Sequence, residues 1–232
     1  TGSIESNYLA WKYLYEEGTA VGGDVYNNTA EELSSLIDSF VSPMIVELNR
    51  INMNNTKFYD SELKEMNQIK EYVLKRHEQV KNLPKAGEEA INFTYPDKDS
   101  NLISLSDFKG SYVYVDVWAT WCGPCRYEIP FLVQLEEDYH DENIVFISVS
   151  TDVESKKQVW LDMINKENMG GVQLFADGFS QICKDYAING IPRFMLFDPD
   201  GNVISVDAAR PSSDKTREIF DGFKDIEEEV DL

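Results

Sequence analysis

The chain has 232 residues, enough for one large domain or two small ones, and its 42% hydrophobic content supports a packed core. Its 42 acidic residues against 21 basic ones leave a formal charge of −21, a surface that repels nucleic acid and anionic lipid. No apolar run approaches the roughly 20 residues of a membrane helix, and three cysteines are too few for a disulfide-stapled scaffold. No signal peptide opens the chain, which starts at Thr1 rather than Met, so a leader or tag is expected to have been removed.

The first third reads as helical. Ile4, Tyr8, Trp11 and Tyr15 recur at helical spacing and stop before Gly18. After a loop at Gly22-Gly23-Asp24 and Asn27-Asn28, Thr29-Ala30-Glu31-Glu32 forms a capping box. It opens a helix with Leu33, Leu36, Ile37, Phe40 and Val41 inward, which Pro43 should kink or break before Met44, Leu48 and Ile51 continue the apolar face. Asn52 to Thr56 is polar and turn-like. Asp60 or Ser61 then caps a helix whose stripe is Leu63, Met66, Ile69, Val73 and Val80. His77, among Lys75, Arg76 and Glu78, reads as a solvated helix residue. No acid, base or metal constellation stands out in this region.

The segment Leu83-Pro84-Lys85-Ala86-Gly87-Glu88-Glu89 breaks the pattern, and the period changes beyond it. Residues 1–85 are therefore expected to be a small all-α region and residues 86–232 an α/β domain. Ile91 to Tyr95 and Leu102 to Leu105 read as a hairpin. Tyr112 to Trp118 is aromatic and β-branched, the composition of a buried strand. A helix from Gly123 to about Tyr139 follows, interrupted by Pro130. Ile144 to Val149 is a strand, and Thr151-Asp152-Val153-Glu154 caps a helix carrying Val159, Trp160, Met163 and Ile164. Val172 to Phe175 is a short strand, and Phe179, Ile182, Cys183 and Tyr186 fall on one helical face. Arg193 to Phe197 and Val203 to Val206 are strands joined by the turn Asp198-Pro199-Asp200-Gly201. Ser212-Ser213 caps a final acidic helix with Ile219, Phe223 and Ile226 inward. Alternating strands and helices, then a hairpin and a helix, indicate a mixed sheet flanked by helices on both faces.

The strand at Tyr112 to Trp118 ends on Cys122-Gly123-Pro124-Cys125. Pro124 cannot continue a strand but suits the first turn of a helix, where an N–H would be unpaired in any case. Cys122 should then stand at a strand-to-helix junction, with helix N–H groups aimed at its sulfur and the helix dipole favouring a thiolate. Two thiols this close, one made acidic, are the parts of a dithiol/disulfide couple. Two other readings stand beside it. The pair could be half of a zinc site, with Cys183, His77 and His140 as remaining candidates, although no second close pair exists. It could be an inert disulfide, although so short a loop gains little from cross-linking.

From Ala86 onward the chain resembles the thioredoxin-like superfamily. Asp116-Val117-Trp118-Ala119-Thr120-Trp121-Cys122-Gly123-Pro124-Cys125-Arg126 is similar to that family's active-site segment almost position by position, Pro130 to the kink in its first long helix, and Gly190-Ile191-Pro192 to its cis-proline loop. Leu105-Ser106-Asp107-Phe108-Lys109-Gly110, Cys125-Arg126-Tyr127-Glu128-Ile129-Pro130 and an insertion before Val172 resemble the TlpA/ResA-like branch of extracytoplasmic thiol–disulfide oxidoreductases, whose Bacteroidetes-type members carry an extra N-terminal region. The resemblance implies a thioredoxin-like fold: a mixed central sheet flanked by helices, with an extra N-terminal hairpin, here preceded by the all-α region.

It also implies roles. Cys122 is the exposed attacking thiol and Cys125 the buried resolving thiol. Cys125 must lose its proton to resolve a mixed disulfide, so an acceptor of raised pKa should lie behind it. Asp116, a carboxylate in an apolar strand, is the candidate, unless it is a solvent-facing charge on an edge strand. Glu128 resembles the acidic residue of ResA-like enzymes, or is an ordinary first-turn carboxylate stabilised by the helix dipole. Trp121, Gly123, Pro124, Ile191 and Pro192 are expected to contact substrate, and Arg193 to alter its charge preference. Cys183 reads as an inert core thiol. The expected activity is exchange of disulfides with protein substrates, as a reductase, with the Cys122–Cys125 pair as the redox group and neither cofactor nor metal. Implied partners are protein thiols and disulfides and an upstream membrane electron donor, with no nucleic acid. The chain itself would not span the membrane, could carry a lipid anchor, and would work in the periplasm or on the outer surface of the bacterial envelope. The rivals are a peroxiredoxin-like peroxidase and a non-enzymatic binding protein whose helical region carries the function; in the oxidoreductase reading that region is expected to select or position partners, with Tyr8, Trp11 and Tyr15 as contacts unless they are core.

Overall fold

The structure, a computed structural model, describes residues 56–230 together with isolated positions between 29 and 49. It divides into two compact units, Thr1–Asn82 and Leu83–Leu232; the sequence placed the boundary after Lys85.

In the first unit the capping box forms as read. The Thr29 N–H donates to Glu32 Oε2 at 2.8 Å, and the Glu32 N–H donates to Thr29 Oγ1 at 3.2 Å. Ser42 and Ile45, on either side of Pro43, are both helical. Pro43 itself, the expected helix with Tyr8, Trp11 and Tyr15, and the turn after Asn52 lie outside the described residues. Helix α1, Thr56–Val80, begins four residues before Asp60, so Asp60 and Ser61 are interior rather than capping. No glycine or proline between Thr56 and Asp60 resists the helix, and one Asp or Ser inside it costs only a few tenths of a kcal/mol. His77 is buried, not solvated. It stands three residues before buried Val80 and so shares its stripe, whatever the charge of its sequence neighbours.

The second unit is a five-stranded sheet in the order β5-β4-β3-β6-β7, comprising β3 (Tyr112–Trp118), β4 (Ile144–Ser150), β5 (Val172–Phe175), β6 (Arg193–Phe197) and β7 (Val203–Ser205). The first three are parallel, whereas β6 runs antiparallel to β3 and β7 antiparallel to β6. A hairpin of β1 (Thr94–Pro96) and β2 (Leu102–Ser104) precedes them, a little later and shorter than expected. Its segment is tied to both ends of the sheet, by bridges from Glu89 to Asn202 and from Asp97 to Leu174. Both edge strands are thereby partly covered.

One face of β3 presents Tyr114 and Trp118 to a core shared with α2 (Gly123–Asp138), α3 (Lys157–Lys166) and α5 (Asp214–Val230). Phe220 of α5 is fully buried there, its ring 5.2–5.9 Å from those of Tyr139, Tyr114 and Phe146. The expected inward stripe missed Phe220; the observed one is Thr216, Ile219, Phe220 and Phe223, with the Ile226 side chain outside the described ones. The opposite face carries Phe197, against which Tyr186 packs after the short α4 (Gln181–Asp185). The Tyr186 hydroxyl donates to Ile91 O at 2.7 Å, and Phe179 lies exposed outside that helix. Among the described residues no helix is long and apolar enough to cross a membrane.

Candidate active site

The central strand β3 delivers the chain to the cysteine pair. Cys122 is the N-cap of α2 in extended backbone (φ −80°, ψ 106°), and Pro124 lies in the first turn, as its missing N–H allows. A disulfide joins Cys122 and Cys125. The Cys125 N–H donates to Cys122 Sγ at 3.1 Å. On reduction that donor and the helix dipole would face the first sulfur, which lowers a thiol's pKa. Cys122 Sγ also lies 3.7 Å from Ile191 O, and the Ile191–Pro192 peptide is cis. The cis-proline loop is thus beside the disulfide. As a disulfide, Cys122 is 4% exposed and Cys125 3%, so the expected exposed-first, buried-second contrast is not one of area. Trp121, 61% exposed, stands next to Cys122, and Gly123 and Pro124 are also exposed.

Asp116 is not on an edge. It lies in the middle of the central strand, in register with Ser148 of β4 and Phe194 of β6, and is buried. Its Oδ1 has no hydrogen-bond partner. Burial first, then the charges of Glu128 and Glu136, hold its pKa well above the usual carboxylate value. Glu128 is buried as well and is the sixth residue of α2, past the first turn in which the helix dipole would stabilise an ordinary carboxylate. Its two oxygens accept the Ser212 N–H and the Ser212 hydroxyl, each at 3.0 Å, and the Arg210 guanidinium lies 3.7 Å away. Glu128 therefore ties α2 to the loop before α5.

Sequence reasoning missed Glu136, eleven residues beyond Cys125 on α2. One oxygen accepts the Gly170 N–H at 2.9 Å, the other is buried without a partner, and burial pushes its pKa up to about 7. Its spacing of eight from Glu128, on the same helix face, was the available signal. Arg193, expected to alter the charge preference for substrate, has its guanidinium paired with Asp207 and a side chain 14% exposed. Cys183 is a buried free thiol pushed up to about 11 by burial, and His140 is exposed beside Asp141. Among the described residues no group of three or more His, Cys, Asp or Glu is placed to share a metal ion.

The AhpC/TSA family model matches residues 86–206, which include β3, the cysteine pair and the cis-proline loop. The chain belongs to the AhpC/TSA family. Within it the chain is similar to ResA proteins. It is 31% identical over 118 residues to the thiol–disulfide oxidoreductase ResA of Bacillus thuringiensis subsp. konkukian, a match covering 51% of this chain and 66% of that protein, just under two thirds of its length. A Bacteroides vulgatus structure assigned as a thiol–disulfide oxidoreductase is 36% identical, with a TM-score of 0.54, over 60% of this chain and 96% of that one. The thioredoxin domain of a B. vulgatus thiol–disulfide oxidoreductase is 28% identical, with a TM-score of 0.51, over 59% of this chain and 98% of its own. The second unit therefore has the thioredoxin-like fold.

Proposed function

We propose that this chain is a thiol–disulfide oxidoreductase that reduces disulfides of protein substrates through Cys122 and Cys125. The observation that carries the reading is the Cys125 N–H on Cys122 Sγ at the start of α2, beside the cis Ile191–Pro192 peptide. In the reduced protein the Cys122 thiolate attacks one sulfur of a substrate disulfide. A mixed disulfide forms, and the other substrate sulfur leaves as a thiolate that takes up a proton. Cys125 then passes its proton to Asp116 and attacks Cys122 Sγ, releasing the second substrate thiol. Two electrons have moved to the substrate, and Cys122–Cys125 is again a disulfide.

Asp116 suits the acceptor role better than Glu128, because one of its oxygens is free of partners whereas both Glu128 oxygens are engaged. Trp121, Gly123, Pro124, Ile191 and Pro192 supply the surface for an extended substrate. Gly-Pro between the cysteines resembles reducing members of the family. An extracytoplasmic location and a membrane electron donor follow from the same resemblance.

The test is trapping. Cys125→Ser should attack a protein disulfide such as insulin and accumulate adducts on Cys122, whereas Cys122→Ser should form none and reduce nothing. Adducts on Cys125 in Cys122→Ser would reverse the assignment. Turnover of hydrogen peroxide without disulfide reduction would favour the peroxidase instead.

A further inference from the structure

The sequence reads Asp152 as part of a helix cap, but the side chain turns the other way. α3 starts only at Lys157, after a 3₁₀ turn at Glu154–Lys156. Asp152 is fully buried at the end of β4. Its Oδ2 accepts the Thr120 N–H at 2.9 Å and the Ser150 hydroxyl at 2.9 Å, and its Oδ1 accepts the Thr120 hydroxyl at 2.7 Å. Its own N–H donates to Ser150 Oγ at 3.1 Å. Next to it, Thr151 donates both its N–H and its hydroxyl to Trp118 O, at 2.8 and 3.0 Å. The end of β4 therefore grips the chain on both sides of Ala119, where β3 turns toward the cysteines. Thr120 is two residues from Cys122, and the Cys122 N–H closes the turn onto Ala119 O at 3.1 Å.

A buried carboxylate is costly, and hydrophobic side chains of the same volume would serve mere packing better. What a carboxylate provides here is two acceptors in one plane, matched to the two donors of a single threonine. Charge-assisted bonds of that kind are about twice as strong as neutral ones and fix direction as well as distance.

We propose that Asp152 is a positioning residue for the attacking thiol. By holding both the N–H and the hydroxyl of Thr120 it fixes the turn on which Cys122 stands, and so keeps Cys122 Sγ in line with the Cys125 N–H. The inference rests on Cys122 being the attacking thiol. Asp152 touches neither sulfur and acts through Thr120.

The test is the titration of Cys122 in the reduced full-length chain, read as the pH dependence of iodoacetamide alkylation with the labelled cysteine assigned by mass spectrometry. Thr120→Ser keeps both donors and should match the wild type. Thr120→Val keeps the shape without the hydroxyl, and Asp152→Asn presents an NH₂ where an acceptor stood. Both should move the Cys122 midpoint up toward the roughly 8.5 of an ordinary thiol, slowing alkylation at neutral pH about tenfold per pH unit. The sign separates mechanisms, because loss of a nearby negative charge would by itself move the midpoint down. A downward shift in Asp152→Asn overturns the proposal. So do wild-type midpoints in Asp152→Asn and Thr120→Val accompanied only by lower melting temperatures, since Asp152 would then be structural. If Asp152→Asn fails to fold, Thr120→Val against Thr120→Ser decides alone. The readout needs no turnover. An ordinary midpoint in the wild type itself would overturn both this role and the assignment of Cys122, whereas an unusual wild-type midpoint that the variants share overturns this role only.

Discussion

At Asp116 the chain keeps a carboxylate where the strand asks for an apolar side chain, and the consequence should be measurable. Burial holds its folded pKa well above the usual carboxylate value, so the native state retains a proton that the unfolded chain releases. Stability from this group is complete below the unfolded pKa and falls as pH rises toward the folded value. Asp116→Asn removes that loss. Its melting temperature should match the wild type near pH 4 and exceed it by a margin that grows toward pH 8, while resolution of mixed disulfides slows. Thermal melts at the two pH values check the first part; a margin independent of pH would refute it. Glu136 follows the same sign over a window from 4.5 to about 7. Glu136→Gln keeps an acceptor for the Gly170 N–H and should stabilise above pH 7 by about 1 kcal/mol, well short of the full shift because the side chain is only partly buried. Equal denaturation midpoints at pH 8 for Glu136→Gln and wild type would deny the desolvation cost.

The elements that position the site divide by how far their determinants lie apart. β3 and the turn into α2 were legible because their signals are local: a β-branched and aromatic run, two cysteines three apart, and a proline in the first turn. β5 and β6 were placed to the residue for the same reason. The partners that give the site its chemistry were not legible. Glu128 meets Ser212 across 84 positions and Asp152 meets Thr120 across 32, and no periodicity encodes such pairs. His77 was misjudged through its sequence neighbours, since charge near a residue in sequence says little about which way it faces. α5 shows the same limit, as its most buried side chain is Phe220, one position from the stripe read off the sequence. That helix is held by one aromatic ring among several. Phe220→Ala should cost about 3–5 kcal/mol, read as a lower denaturant midpoint. A loss under 1 kcal/mol would mean that α5 is not anchored through this ring.

For the whole molecule, the two units raise the question of which one carries the reaction. Every buried residue of the core around the cysteines lies within Leu83–Leu232, as do the disulfide, Asp116, Glu128 and the cis-proline loop. The family match, residues 86–206, falls wholly within that unit. A B. vulgatus chain that this protein covers to 96% aligns with only 60% of it, so a domain of this kind exists without a counterpart to the remainder. The closing helix α5 and the segment bridging Glu89 to Asn202 both belong to the same unit, so the sheet and its edge bridges lie wholly within residues 83–232. A chain of residues 83–232 should therefore unfold in one cooperative transition and reduce a small disulfide, such as a dithiobis dye, within about twofold of the full-length rate. Circular dichroism melts and dye kinetics on the two chains make the comparison. If the shorter chain is unfolded, residues 1–82 are structural support for the thioredoxin-like unit. If it is folded but slow on the dye, they contribute to the reaction itself. If it is slow only on a protein disulfide such as insulin, residues 1–82 select protein substrates.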